Sequence, residues 1–271
     1  MIDHRNALVD RVRTAVDDLA AADPAGGLQV AAYLHGEPIL ALCAGVADPD
    51  TGRPLTAGTP IFSCSVGKGL AATVVHVLAE RGVLDYDLRL AEVWPGFDRN
   101  GKQDITLAHV LTHTAGLPEL PAGSTVRDLT DRDRMCAALA AATPVWEPGT
   151  RQGYHVWTYG WLVGEVVRRV TGRSIGTELA ERLISPERLR RVSAVAVTGP
   201  DWTFGGEVTR TLGYGVEGRM FGYDGLGGSI AGAAADLGLS FAATRNIVAF
   251  GDGDPLERLR ALVLDAVSAA G

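Results

Sequence analysis

The run Ser63-Cys64-Ser65-Val66-Gly67-Lys68-Gly69-Leu70 sets a hydroxyl and an ammonium three residues apart, in a chain that holds two lysines, Lys68 and Lys102, against twenty-three arginines. A composition that uses arginine for nearly all its positive charge has kept an ammonium beside this serine. A guanidinium does not release its proton at any pH a protein meets, whereas a partly buried amine can be driven to its neutral form and act as a base. Ser65 and Lys68 therefore read as a nucleophile and its base. The S-x-x-K spacing occurs by chance in many helices and gains its meaning only from what surrounds it.

The pair needs a helix to hold it. Residues 66–81 carry Leu70, Val74, Val77 and Leu78 at helical spacing, with Gly82 placed as a left-handed stop. Ser65 then lies at a helix N-terminus, where backbone N–H groups point at any charge that develops, and Lys68 shares its face one turn on. Upstream, Leu8, Val9, Val12, Val16 and Leu19 are interrupted by Asp10, Arg11, Arg13, Asp17 and Asp18, the pattern of an amphipathic helix rather than a signal peptide. Apolar runs at 28–34 and 39–47 flank His35-Gly36-Glu37-Pro38 as a β-hairpin, closed by a turn at 48–52. The middle is mostly helical. Thr106 caps 107–111, a helix covers 132–142, Thr158 opens one ending at Gly172, and Ser174 caps the next. Beyond Val192, residues 211–220, 227–233 and 238–244 read as short strands and 256–269 as a closing amphipathic helix. Strands from both chain ends around a helical block predict an α+β fold: an antiparallel β-sheet flanked by helices, with a helical insert lobe.

Composition narrows the function. A chain of 271 residues with 46% apolar and 21% charged content can bury one large core or two small ones. A net charge of -7 without a long run of like charge argues against a nucleic-acid footprint. No stretch approaches the roughly 18 apolar residues of a membrane span. Cys43, Cys64 and Cys136 are odd in number and widely spaced, which suggests neither a metal cluster nor a disulfide framework. The expected location is the cytoplasm, with no membrane or nucleic-acid partner.

Two further runs turn the serine and lysine into a pattern: Glu147-Pro148-Gly149-Thr150-Arg151-Gln152-Gly153-Tyr154-His155-Val156, leading into Tyr159-Gly160-Trp161, and Phe221-Gly222-Tyr223-Asp224-Gly225-Leu226-Gly227-Gly228-Ser229. With Leu111-Thr112-His113-Thr114-Ala115-Gly116-Leu117, they resemble the penicillin-recognising serine hydrolases, in the branch of class C β-lactamases, DD-peptidases and family VIII esterase-like enzymes. The resemblance runs from about residue 28 to 246 and is specific for the family, not for a substrate. It implies a β-lactamase/transpeptidase-like fold as one domain over 1–271, with a sheet lobe from 1–62 and 205–271 and a helical lobe over 63–204. It also implies an acyl-enzyme on Ser65, Lys68 as base and Tyr154 relaying the proton to the leaving group. The N–H groups of Ser65 and Leu226 would form the oxyanion hole, with Gly225 letting the substrate approach the backbone. His155 either lines the pocket or sits in a loop, and it is grouped with Tyr223, Gly225 and Leu226 as substrate-binding. His113 is expected to fix a tight turn and Cys64 to be a small buried residue. No metal or organic cofactor is implied.

The chain departs from the family at two places. Tyr223 stands where relatives carry a lysine or histidine, and Asp224 adds an anion beside it, which argues against a carboxylate-bearing substrate and so against a true β-lactamase or DD-peptidase. The segment 192–212 is short, which leaves one wall of the pocket low. Such a cleft suits a bulky substrate, an acyl group delivered on a carrier protein, or a second subunit completing the site in a homo-oligomer, and equally a decay toward a binding role. The expected partner is a small-molecule ester, amide or carrier-bound acyl substrate. The expected function is a cytoplasmic serine hydrolase. Its alternatives are an acyltransferase or cyclase of a biosynthetic pathway using the same acyl-enzyme, and a catalytically silent binding homologue.

Overall fold

The computed structural model describes residues 2–179, 186–247 and 254–269; positions 180–185 and 248–253 of the expected lobes lie outside these. The chain opens with α1 (Ile2–Ala22), β1 (Gly27–Leu34), β2 (Glu37–Asp48) and β3 (Arg53–Pro54). There follow α2 (Val66–Glu80), α3 (Leu90–Val93), α4 (Leu107–Leu111), a 3-10 helix (Val126–Thr130), α5 (Arg132–Ala141), α6 (Thr158–Thr171), α7 (Ile175–Leu179) and α8 (Pro186–Ser193). The remainder is β4 (Val197–Pro200), β5 (Glu207–Arg210), β6 (Gly215–Glu217), β7 (Met220–Gly225), β8 (Ser229–Ala234), β9 (Leu239–Arg245) and α9 (Pro255–Ser268). These elements fall into two compact units, Met1–Gly67 with Gly218–Gly271, and Lys68–Glu217.

In the first unit the strands run in the order β3-β2-β1-β9-β8-β7. The pairs are antiparallel, and β1 meets β9 in a continuous register from Leu28↔Arg245 to Leu34↔Leu239. The hairpin of β1 and β2 turns on His35 (φ 51) and Gly36 (φ 84), both left-handed, the two-residue turn that matches the twist of paired strands. Leu8, Val12 and Val16 repeat every fourth residue on α1, and Leu28, Val30 and Ala32 every second residue on β1. These two periods meet in one core with Ile230, Phe241, Leu259 and Val263, so that α1 and α9 cover one face of the sheet.

The second unit is built around α6. Its buried face, Tyr159, Leu162, Val163, Val166 and Val167, packs against α3, α4 and α5. Thr106 caps α4 through the His109 N–H, and Gly172 ends α6 at φ 73 with its N–H on the Arg168 carbonyl, as the sequence predicts. Lys102 is fully buried here, its ammonium donating to the Arg99 carbonyl at 2.8 Å and to the Ala142 carbonyl.

The α+β architecture with its antiparallel sheet is as expected, and two strand assignments change. Residues 211–220 are not one strand: Thr211 to Tyr214 form a turn with Gly213 at φ 97, and β6 and β7 follow as separate strands. The cause is close packing, since a Cβ on Gly213 would lie 2.4 Å from the Ala72 Cβ of α2. The hairpin of β4 and β5 was not anticipated, because Gly199 and Pro200 dilute the strand signal of Val197-Thr198. Among the described residues no helix is long and apolar enough to cross a membrane.

Leu259, wholly enclosed between α9 and the sheet, is where this core can be tested. Leu259→Ala should destabilise the fold by about 2–5 kcal/mol, read from the urea midpoint.

Candidate active site

Ser65 is the residue before α2, at the end of a turn in which Val66 N–H donates to the Ser63 carbonyl and Gly67 N–H to the Cys64 carbonyl, each at 3.1 Å. Cys64, at φ 46, adopts the left-handed conformation despite its Cβ, which costs on the order of 1–3 kcal/mol and persists only where the surroundings enforce it. The thiol is half-buried and free, so what matters at this position is the backbone bend that presents the next side chain, more than a small residue's packing.

Gly225 ends β7 against that turn. A Cβ on Gly225 would sit 2.4 Å from the Ser63 carbonyl oxygen and 3.2 Å from its carbon. A close approach of the protein's own backbone is therefore enough to demand glycine here. Leu226, the next residue, is 69% exposed. Successive side chains of β7 alternate between faces, and Tyr223 and Gly225 are buried while Asp224 is exposed and lies 3.8 Å from Arg260 of α9. Asp224 is thus answered by Arg260 on the opposite face and is not an anion beside the Tyr223 side chain.

The second unit holds Lys68 and Tyr154 together. The half-buried Lys68 lies in the first turn of α2, with its Nζ 4.9 Å from the centre of the Tyr154 ring. The Arg210 guanidinium stands 5.1 Å from the same ring. The rings of His113 and Phe204 lie 4.7 and 5.6 Å away. Two cations around one phenol create a positive potential in which charge developing on its oxygen is stabilised.

The segment carrying Tyr154 has no regular structure and is fixed by buried side chains. Gly153 N–H donates to the His113 carbonyl at 3.0 Å, and His155 N–H to His113 Nδ1 at 3.0 Å. Nδ1 of His113 is therefore an acceptor, and the residue, at φ 61, fixes the chain after α4 as expected. His155 is fully buried, with Nδ1 on the Gly153 carbonyl at 2.6 Å and Nε2 accepting from Leu117 N–H at 3.1 Å. Both of its nitrogens are engaged inside the protein, so it positions Tyr154 and is not a substrate contact, a correction to its grouping with the binding residues. On the other side Asp201 Oδ1 accepts from Tyr154 N–H at 3.4 Å, and Thr203 Oγ1 donates to the Tyr154 carbonyl at 3.0 Å. Asp201 Oδ2 meets Arg210 at 2.8 Å, both side chains buried. Asp201, Thr203, Phe204 and Arg210 were not singled out from sequence. The detectable signal was the Asp-x-Thr turn before Gly205-Gly206, a loop signature rather than a catalytic one.

The relationship of this chain to known proteins agrees with the architecture. Residues 12–191, well over half of the chain, match the beta-lactamase family, and the chain belongs to it. It is 40% identical over 161 residues to Esterase/beta-lactamase LipL of Mycobacterium tuberculosis, covering 59% of this chain and 37% of that protein. It is 29% identical over 177 residues to Esterase EstB of Burkholderia gladioli, covering 58% and 44%. The chain thus spans less than half the length of these relatives. Its fold superposes on the crystal structure of a family VIII carboxylesterase with a TM-score of 0.89 at 24% identity, over 96% of this chain and 97% of that one. A D-amino acid amidase from Ochrobactrum anthropi SV3 shares the fold at a TM-score of 0.77 and 16% identity, over 98% and 100%.

Two outcomes test this geometry. Gly225→Ala, by driving a methyl into the Ser63 carbonyl, should slow covalent labelling of Ser65 at least about tenfold while the circular dichroism spectrum is kept, as expected when a reacting group is displaced by about 1 Å. The second concerns pH. Burial holds His155 at about 4 and His113 well below its ordinary value. As pH falls below about 6.5 the unfolded chain gains protons on these residues that the folded chain does not, so stability should be flat between about pH 7 and 8 and fall between about pH 6.5 and 5. A urea midpoint that rises over that interval would contradict neutral, buried imidazoles.

Proposed function

We propose that this chain is a serine hydrolase that cleaves a neutral ester or amide through an acyl-enzyme on Ser65. The observation that carries the reading is the placement of the Lys68 ammonium on the Tyr154 ring, in the first turn of the helix that Ser65 precedes. In this reading the neutral amine of Lys68 takes the Ser65 proton as Oγ bonds to the substrate carbonyl carbon. The carbonyl oxygen, now an anion, accepts from the N–H groups of Ser65 and Leu226, each worth about a hundred- to a thousandfold in rate. The intermediate collapses with cleavage of the bond to the leaving oxygen or nitrogen, which receives the proton through Tyr154 and departs as alcohol or amine. Water then adds to the acyl carbon, the bond to Oγ breaks, the acid leaves and Ser65 regains its proton.

Tyr223 in place of a cation supports a neutral substrate over one with a carboxylate. The three cysteines are free, and Cys43 is exposed, which supports the reducing environment of the cytoplasm.

Intact-mass spectrometry after exposure to a small alkyl fluorophosphonate tests the assignment. One adduct per chain is expected on the wild type, none on Ser65→Ala, and labelling slowed more than about a hundredfold in Lys68→Arg, because charge is kept but the base is lost. A Lys68→Arg variant that labels at the wild-type rate would remove Lys68 from its role.

A further inference from the structure

The loop between β4 and β5 carries an exposed aromatic ring to the candidate proton carrier. Pro200 pairs with Glu207, and the intervening residues 201–206 are pinned throughout. Asp201 Oδ1 accepts from the N–H groups of Thr203 and Phe204 at 2.8 and 3.0 Å. The Gly205 N–H donates to the Asp201 carbonyl and the Asp201 N–H to the Gly206 carbonyl, while Trp202 N–H donates to the Gln152 carbonyl. Gly205 and Gly206, at φ 68 and 76, supply the left-handed residues that the return requires. The tip is therefore held, not loose. Yet it presents Phe204 70% exposed, its ring tilted 38° to that of Tyr154.

We propose that Phe204 is the wall against which the leaving alcohol is held, so that the chain prefers esters of bulky apolar or aryl alcohols to esters of small ones. This rests on the hydrolase reading above, in which Tyr154 protonates the leaving oxygen. That oxygen must come within about 2.6–3.2 Å of the phenol oxygen to receive its proton. The group it carries then starts beside the Tyr154 ring and whatever packs on that ring. Of the groups named around Tyr154, His113 and Arg210 are buried and Lys68 ends in a polar nitrogen, which leaves Phe204 as the neighbour that is both apolar and open to solvent. A single exposed aromatic is ordinary on a protein surface; what distinguishes Phe204 is its position on the ring of Tyr154 in a loop held by hydrogen bonds. A bulky alcohol covers Phe204, and methanol does not.

The alcohol and acyl sides separate kinetically. All acetate esters yield the same acetyl-enzyme, so the choice of alcohol acts on acylation and appears in kcat/KM. The ratio of kcat/KM for benzyl acetate over methyl acetate should fall about tenfold in Phe204→Ala, and Phe204→Leu should restore part of it. Comparing ratios between variants cancels the intrinsic reactivity of the two esters. An unchanged ratio would overturn the proposal, as would a change confined to a series that varies the acyl chain on a single alcohol. Labelling of the wild type by the small fluorophosphonate distinguishes the two levels: a labelled enzyme with an unchanged ratio sinks this inference alone, and an unlabelled one sinks the hydrolase reading and this proposal with it.

Discussion

The second unit depends on how a buried segment without secondary structure has its backbone satisfied. Neither helix nor strand covers Gly153 to His155, yet all three residues are buried, so each peptide group needs a partner supplied individually. Imidazole suits the task because its neutral form offers one donor and one acceptor at opposite sides of a rigid ring. His155 spans from the Gly153 carbonyl to the Leu117 N–H, and His113 accepts from the His155 N–H while its own carbonyl takes the Gly153 N–H. Both are held neutral by burial, and only the neutral form can make these bonds. His113 and His155 thus adjoin Tyr154, the proton carrier proposed above, and serve to hold its backbone in place.

In the first unit the corresponding constraint is steric. The bend before α2 is made by a left-handed Cys64, and β7 closes onto that bend because Gly225 has no side chain to hold it off. Two backbone features thus set the relation between the Ser65 turn and the residues that follow β7. Neither depends on a side-chain hydrogen bond. Sequence changes at Asp224 or Leu226, which face away or stand exposed, leave that relation untouched, whereas a methyl at Gly225 acts on it directly.

What could be read from the residues follows from these causes. Periodicity and caps revealed the hairpin of β1 and β2, helices α2, α4, α5 and α6 and the closing helix, since each is a local signal reinforced by a turn residue such as Gly36, Thr106 or Gly172. The hairpin of β4 and β5 was hidden by Gly199 and Pro200, and the break at Gly213 by a contact with Ala72 that no local window contains. At the site, Lys68 beside Tyr154 was legible through motif spacing. Asp201 and Arg210 were not, because their relation to Tyr154 is made across some fifty residues of chain and rests on one buried ion pair. His155 was misjudged for a related reason: adjacency to Tyr154 in sequence places a side chain near the site but does not say which way it is satisfied.

The scarcity of lysine, the first clue in the sequence, acquires a physical meaning once both lysines are placed. Lys102 is fully buried with its ammonium on the Arg99 and Ala142 carbonyls and near the Phe97 ring. A guanidinium there would bring five N–H donors to two acceptors, and the unsatisfied ones would each carry a desolvation cost. An ammonium, with three donors on a compact head, fits. Rarity in this chain therefore marks positions where a small cationic head is required, for packing or for chemistry, and cannot by itself distinguish the two. The surroundings do. Lys102 spends its donors on backbone carbonyls within a closed loop region, whereas Lys68 is only half-buried, stands in the first turn of the helix that Ser65 precedes, and lies against a tyrosine already flanked by a second cation. The base proposed above must keep a route to substrate, and of the two lysines Lys102 is closed off while Lys68 stays partly open to solvent.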